Sequence, residues 1–474
     1  MTLRGKMRAM RVYRLALIAS ACLVASAATS APHAATVRPV ITNDGLIAIT
    51  DPDAQIAEVP TPQPAYRTRV KSRPFGTRIM RIGGDPGTPI VTPTGEVLGV
   101  WSNFPRHHYV TTQPWNADGS LMHIYLGRED VSPNNVVLSG SSYKPLYAFY
   151  EPRRESRWHP VHPDIRVRIS GDTLSWQNVR TGLQVRNWKL PYADNSTGGK
   201  WNISLDGRYV GIVGDNRFLY IFDMGTRKGR SGPALDLRAD CGLAACDPPN
   251  KFFDLRTSWD GLHYLVHYGP GSNWRLLDAD PDTLAIKHHA FPDSIKPAEC
   301  DGRVICSLGA PSEGFLPVQF GHPDFLVNTD GSAWIAGQSK YWSNKSIASV
   351  DTVGGRVGRI LAIRLDDGYL RSLTNAAGEA WASHVAVRNT ARRGWLYASY
   401  GRTPAGKYQG EILSVNLNNR RVERYGHHFS DTAGCYDCEV HPSPSPDGSK
   451  VAFASTWGGD QTSALGYVLE LLPP

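Results

Sequence analysis

The sequence predicts an all-β protein, a seven-bladed β-propeller closed by a strand from its N-terminal side. Three observations point there. Gly 46 and Pro 34 among 474 residues supply many turns, and Trp 13 with Tyr 20 supply the bulky side chains that sheets favour. An Asp-Gly type of turn recurs along the chain, each copy leading into an alternating apolar strand. Successive copies lie 42 to 70 residues apart, about the length of one four-stranded blade.

The N-terminus comes first. Arg4, Lys6, Arg8, Arg11 and Arg14 precede the apolar run Leu15 to Val24, and Ala25-Ser26-Ala27 and Thr29-Ser30-Ala31 follow it. A basic segment, a short apolar segment and small residues at the cleavage site form a signal peptide, assigned to residues 1–31. A lipid anchor on Cys22, after Ala19-Ser20-Ala21, is the alternative. The expected location is periplasmic or extracellular. The leader carries five of the eight net positive charges, leaving a mature chain of +3. That balance excludes nucleic acid as a partner on charge grounds. No apolar run outside the leader is long enough to span a bilayer, so no transmembrane segment is expected. The chain is expected to be a monomer.

Residues 32–76, with Val59-Pro-Thr-Pro-Gln-Pro64, read as an extended N-terminal segment with little core of its own. The propeller occupies 77–474. Its turns are anchored at Asp118, Asp164, Asp206, Asp260, Asp330, Arg393 and Asp447. Outer hairpins follow: the strand ending at Trp176 turns through Asn178–Gly182, while Phe218–Asp223 and Arg359–Asp366 fill the same slot in other blades. After Asp447 only 27 residues remain, enough for about three strands. The fourth must be donated, and Thr77–Ile82 is the natural donor, which removes the exposed sheet edges.

Six cysteines remain after the leader, in close pairs: Cys241/Cys246, Cys300/Cys306 and Cys435/Cys438. In an exported chain they read as local disulfides. A structural metal at Cys435-Tyr-Asp-Cys438 would need further ligands, and only His441 is near.

The segment Val440-His-Pro-Ser-Pro-Ser-Pro-Asp-Gly-Ser-Lys-Val-Ala-Phe resembles the Ser-Pro-Asp-Gly repeat of TolB-like propellers. With His441 before it and a histidine at two upstream blade starts, residues 320–460 are similar to oligogalacturonate lyases. That resemblance implies a seven-bladed propeller that holds a divalent metal with histidines and cleaves uronate chains by β-elimination. Where those lyases carry a second histidine and a glutamine, this chain has Glu439 and Tyr436.

The residues themselves add a phase argument. His322, His384 and His441 each open the innermost strand of a blade, and such positions converge at one mouth of the central channel. Three imidazoles there, with Glu439 as an oxygen donor and Asp324 as a ligand or brace, make a divalent-metal site whose metal is unspecified. A second cluster, Ser102 to Tyr109, combines cations with aromatic rings. Arg106 suits a sugar carboxylate, while His108 and Tyr109 are the acid–base candidates. Lys200 is the alternative base. Trp158-His159 shares its phase and is a weaker lining candidate. His288-His289 and His427-His428 are expected on outer strands, exposed. Asp278–Asp282 lacks the glycine and glutamate of a calcium loop. No Gly-x-Ser-x-Gly elbow, His-Glu-x-x-His helix or phosphate loop occurs. Three readings therefore stand: a metal-assisted polysaccharide lyase acting on acidic oligosaccharides, a non-catalytic propeller that binds protein or glycan, and a hydrolase of another type, which would need two carboxylates at glycosidase separation.

Overall fold

The computed structural model describes residues 37–127, 132–151, 156–198, 200–241, 254–267, 274–291, 316, 320–339, 358–374, 378–402, 405–432 and 434–473. The leader, and the Cys241/Cys246 and Cys300/Cys306 pairings, fall on residues outside this set or on side chains that it leaves out.

Seven small antiparallel sheets form the blades. Blade two is the simplest: Ser156–Trp158, Ile165–Ser170, Thr173–Asn178 and Gln184–Lys189 pair in chain order. Blades four, five and six repeat that order, beginning with inner strands Asp254–Thr257, Phe320–Val327 and Ala382–Ala386. The recurrent turn joins the first and second strands of each blade. Its backbone signature is a hydrogen bond from Ser204, Ser258, Asn328 or Ser445 to a carbonyl four or five residues on. The Asp side chain closes it: Asp206, Asp260, Asp330 and Asp447 each accept from the backbone N–H two residues later. Gly207 shows why glycine follows. Its φ is +75°, and a Cβ there would collide with the His159 ring from blade two.

Blade seven closes the ring as the sequence requires. Ser443–Pro444, Lys450–Ser455 and Leu465–Glu470 come from the C-terminus, and Arg78–Arg81 adds the fourth strand. Leu469 faces Ile79 and Glu470 faces Arg78. Arg69–Lys71 lies outside it, and Arg69 pairs with Glu470 at 2.8 Å. Joining the two ends of the chain in one sheet leaves no open seam. Residues 42–54 lean on the ring. Leu46 and Ala48 join a core cluster with Tyr425 and Leu469, and buried Arg424 donates to the carbonyls of Asp51 and Ala54.

Apolar side chains fill the spaces between neighbouring blades. Trp201, Val210 and Ile212 of blade three pack with Val167, Trp176 and Trp188 of blade two. Trp115 and Trp201 are almost fully buried. Burying each such ring contributes roughly 3 kcal/mol or more, since truncation of a core tryptophan loses about 3–5 kcal/mol.

Blade one departs from the pattern where function is concerned. It has three paired strands, Leu121–Tyr125, Asn135–Ser139 and Pro145–Phe149. Its innermost position is irregular, touching the sheet through isolated bridges at Arg106–Tyr125 and Trp115–Met122. The intervening residues are therefore free of ladder geometry and fold towards the channel.

Candidate functional site

Each of the three histidines sits where the inner strand is irregular. The register slips between Gly321 and Asp324 and between Ala382 and His384. His322 has φ 54° and His441 has φ 43°, left-handed values for residues that carry a Cβ. Such backbone costs about 1–2 kcal/mol per residue, and bulges re-aim side chains beside functional sites. Here the re-aiming brings the rings together. His384 lies 4.4 Å from His322 and 4.3 Å from His441, centroid to centroid.

The ligand atoms are closer still in one trio. A nitrogen of His384, a nitrogen of His441 and a carboxylate oxygen of Glu439 all lie within 4.8 Å of one another. Glu439 is 3.0 Å from His441 Nε2 and 3.5 Å from His384 Nε2. His384 and His441 are buried, while Glu439 is 31 % exposed and His322 is half-buried, so the site opens on that side. His441 Nδ1 is buried without a hydrogen-bond partner among the described residues. Burial, reinforced by His384 and Arg106, pushes the His441 pKa well below the usual 6.5, so the ring is neutral. Neutral imidazole is the form that binds a metal. Two imidazoles and a carboxylate suit a divalent transition metal of borderline softness.

Tyr109 forms the floor. Its fully buried ring lies 4.7 Å from His441 and 5.8 Å from both His322 and His384. Its hydroxyl hydrogen-bonds His322 Nδ1. Burial, then the neighbouring Tyr436, raises its pKa well above 10, and it stays protonated. Lys200 Nζ stands 4.4 Å from the Tyr109 ring centre and 3.4 Å from Asp254. Burial opposes the charge on Asp254, but Arg256 and Lys200 outweigh it and hold the carboxyl below its usual pKa.

The structure thus brings His322, His384, His441, Glu439, Tyr109 and Lys200 into one place. Arg106 reaches it in another capacity. It is 3 % exposed and donates to the Glu439 carbonyl at 2.9 Å, with Asp437 at 3.6 Å, so it braces the loop from behind. His108 lies edge-on to Tyr125 at 6.5 Å. Its neighbour His107, which the sequence reading passed over, bonds the His441 carbonyl through Nε2. Burial and then Arg106 push the His107 pKa down to about 3. The disulfide Cys435–Cys438 staples the loop immediately before Glu439.

Three expectations need correction. His159 is not at this mouth. Its N–H bonds the Ile165 carbonyl, the turn-start position that Ser204 and Ser258 occupy, and its Nδ1 accepts from Val161 and His162. It caps the opposite end of blade two. Asp324 does not brace a histidine; it is buried against Arg388 at 2.6 Å. His427 and His428 are buried at 1 % rather than exposed.

No family model matches the sequence, and no curated protein matches it either. Solved structures do match its shape. An oligogalacturonate lyase in complex with manganese superimposes with a TM-score of 0.52 at 13 % identity, over 88 % of this chain and 98 % of that one. The shared feature is the propeller fold. An oligogalacturonate lyase from Vibrio parahaemolyticus matches at 10 % identity and a TM-score of 0.38, over 85 % of this chain and 96 % of its own. Hydrazine synthase from Kuenenia stuttgartiensis matches at 12 % and 0.41, over 81 % and 98 %. Among the described residues, no helix is long and apolar enough to cross a membrane.

Proposed function

We propose that this chain is an exported, divalent-metal-dependent polysaccharide lyase that cleaves uronate-containing oligosaccharides by β-elimination at the histidine-lined mouth. The observation that carries the reading is the trio His384, His441 and Glu439, with the His322 ring 4.4 Å from that of His384. His384, His441 and Glu439 are the residues that would hold the metal. The unpartnered Nδ1 of buried His441, its neutral ring and the mixed nitrogen–oxygen donor set all fit such a guest. When bound, the cation neutralises the uronate carboxylate and so acidifies the adjacent C5 proton.

The chain's own residues supply the rest. His322 is held apart from the trio by its bond to Tyr109 and is half-buried; with its Nδ1–H donating to the Tyr109 oxygen, its Nε2 lone pair is the one placed to take the C5 proton. The electron pair of that C–H bond forms the C4–C5 double bond, and the C4–O bond breaks. Lys200 gives the leaving oxygen its proton. Tyr109, His107 and Arg106 are positioning residues: each bonds a member of the site or the backbone beside it.

The test pairs elemental analysis with turnover. Wild-type mature protein should carry stoichiometric divalent metal in the channel, and His384→Ala should lose that equivalent. Uronate oligomers should then yield the ultraviolet absorbance of an unsaturated product with wild type only. A metal-free wild type overturns the reading. Metal without turnover on any uronate polymer would leave a binding propeller in its place.

A further inference from the structure

A second histidine cluster lies on blade four, away from the channel. His263 opens the second strand, His263–His267, and Asp278 sits opposite it on Trp274–Ala279. His289 follows the fourth strand, Ile286–His288. Ligand atoms of His263, Asp278 and His289 lie within 4.8 Å of one another, and all three residues are half-buried.

The pairing of the nitrogens is what distinguishes this cluster. Nδ1 of His263 and Nδ1 of His289 both face Asp278 Oδ1 at 2.9 Å. The far nitrogens face acceptors too. His289 Nε2 lies 3.0 Å from the Leu365 carbonyl of the next blade, and His263 Nε2 lies 3.6 Å from Asp260. A neutral imidazole has one N–H and one lone pair. If Nε2–H of His289 donates to Leu365, its Nδ1 lone pair meets a carboxylate oxygen with no proton between them. A cation resolves that meeting. Histidines that bind metals characteristically donate their other N–H to a carbonyl or carboxylate; His289 has that acceptor in Leu365, and His263 has a carboxylate, Asp260, at longer range. Ligands about 2.0–2.2 Å from a tetrahedral zinc ion are themselves roughly 3.3–3.6 Å apart, so the 2.9 Å separations must open by about half an ångström to admit one.

We infer that His263, Asp278 and His289 form a second divalent transition-metal site, of the zinc type, outside the channel. Bound there, a metal ties the second, third and fourth strands of blade four to one point. Through the His289–Leu365 bond that point reaches blade five.

The competing occupant is a pair of protons, which would make both rings imidazolium around Asp278. Zinc titration of chelator-stripped protein at pH 7.5, followed by equilibrium dialysis and elemental analysis, separates the two. His384→Ala protein should still bind one equivalent of zinc, and His289→Ala should bind one fewer than wild type. The double variant should bind none. Asp278→Asn should lose the same equivalent, and circular dichroism of each variant checks its fold. With cobalt in place of zinc, the His384→Ala protein should show a visible ligand-field spectrum that the double variant lacks. Failure of folded His384→Ala to take up any metal overturns the second site and leaves the channel site standing. Failure of the channel site alone would instead appear as one equivalent in wild type, insensitive to His384→Ala and lost in His289→Ala.

Discussion

The rings of His322 and His384 lie 4.4 Å apart, although they open the inner strands of different blades. Only His384 shares the tight ligand trio with His441 and Glu439; His322 is tethered to Tyr109. Adjacent rings with different partners divide the labour. One is placed to hold a cation, the other to handle a proton.

That division predicts opposite signatures. His384→Ala and His441→Ala should abolish metal binding in the channel, as read by isothermal titration. His322→Ala should keep the metal within a few-fold of wild-type affinity while turnover falls by about 10²–10⁴, the usual contribution of a positioned acid or base. Loss of metal from folded His322→Ala would make it a ligand and refute the assignment.

Tyr109→Phe removes one hydroxyl from a fully buried ring that touches all three histidines. Leaving His322 Nδ1 unpaired should cost about 1–3 kcal/mol of stability in urea unfolding. The metal should still bind, because the hydroxyl bonds His322, which stands outside the ligand trio. A lowered kcat at constant KM would separate positioning of His322 from substrate binding.

How far the sequence reached is visible in individual residues. The Asp-Gly turns recur because each blade needs the same tight reversal, and that need is local, so it is legible. His322, His384 and His441 were legible because they stand at comparable distances before those turns. His159 precedes Asp164 by five residues, but it is itself the turn-start residue, as Ser204 and Ser258 are, so Asp164 lies later in its turn than Asp206 or Asp260 and His159 falls at the other rim. His107 was hidden because residues 106–115 are not a ladder strand, and only tertiary packing decides which of two adjacent histidines turns inward. His427 is covered by Phe75 of the N-terminal segment and His428 is tied to the Tyr400 carbonyl, contacts that no local pattern encodes.

His428 should leave a mark on stability below neutral pH. It is 1 % exposed; its Nε2–H donates to the Tyr400 carbonyl at 2.9 Å and its Nδ1 accepts from Ser430 N–H at 3.0 Å. Both nitrogens are thus committed as neutral imidazole, and burial lowers the pKa to about 4. The unfolded chain binds this proton near pH 6.5, so between about 6.5 and 4 unfolding takes up protons. The contribution is intact above pH 6.5 and is lost as pH falls, by about 1.4 kcal/mol per unit. Urea midpoints for His428→Gln should show a shallower decline from pH 6.5 to 5 than wild type. Equal slopes would mean the ring is charged in the fold.

The disulfide Cys435–Cys438 precedes Glu439 directly, while Arg106 holds the Glu439 carbonyl and Asp437 from the other side. The closed loop is short, so its removal should change global stability little compared with a long-range crosslink. Its effect should fall on the placement of the Glu439 carboxylate. Cys435→Ser with Cys438→Ser should weaken channel metal binding by about 10–100-fold, the size expected when support around a ligand is lost. Thermal unfolding of the metal-free protein should move by only a few degrees. A collapse of the metal-free fold would place the bond among the ring's structural supports instead, and an unchanged metal affinity would show that Arg106 alone suffices to hold Glu439.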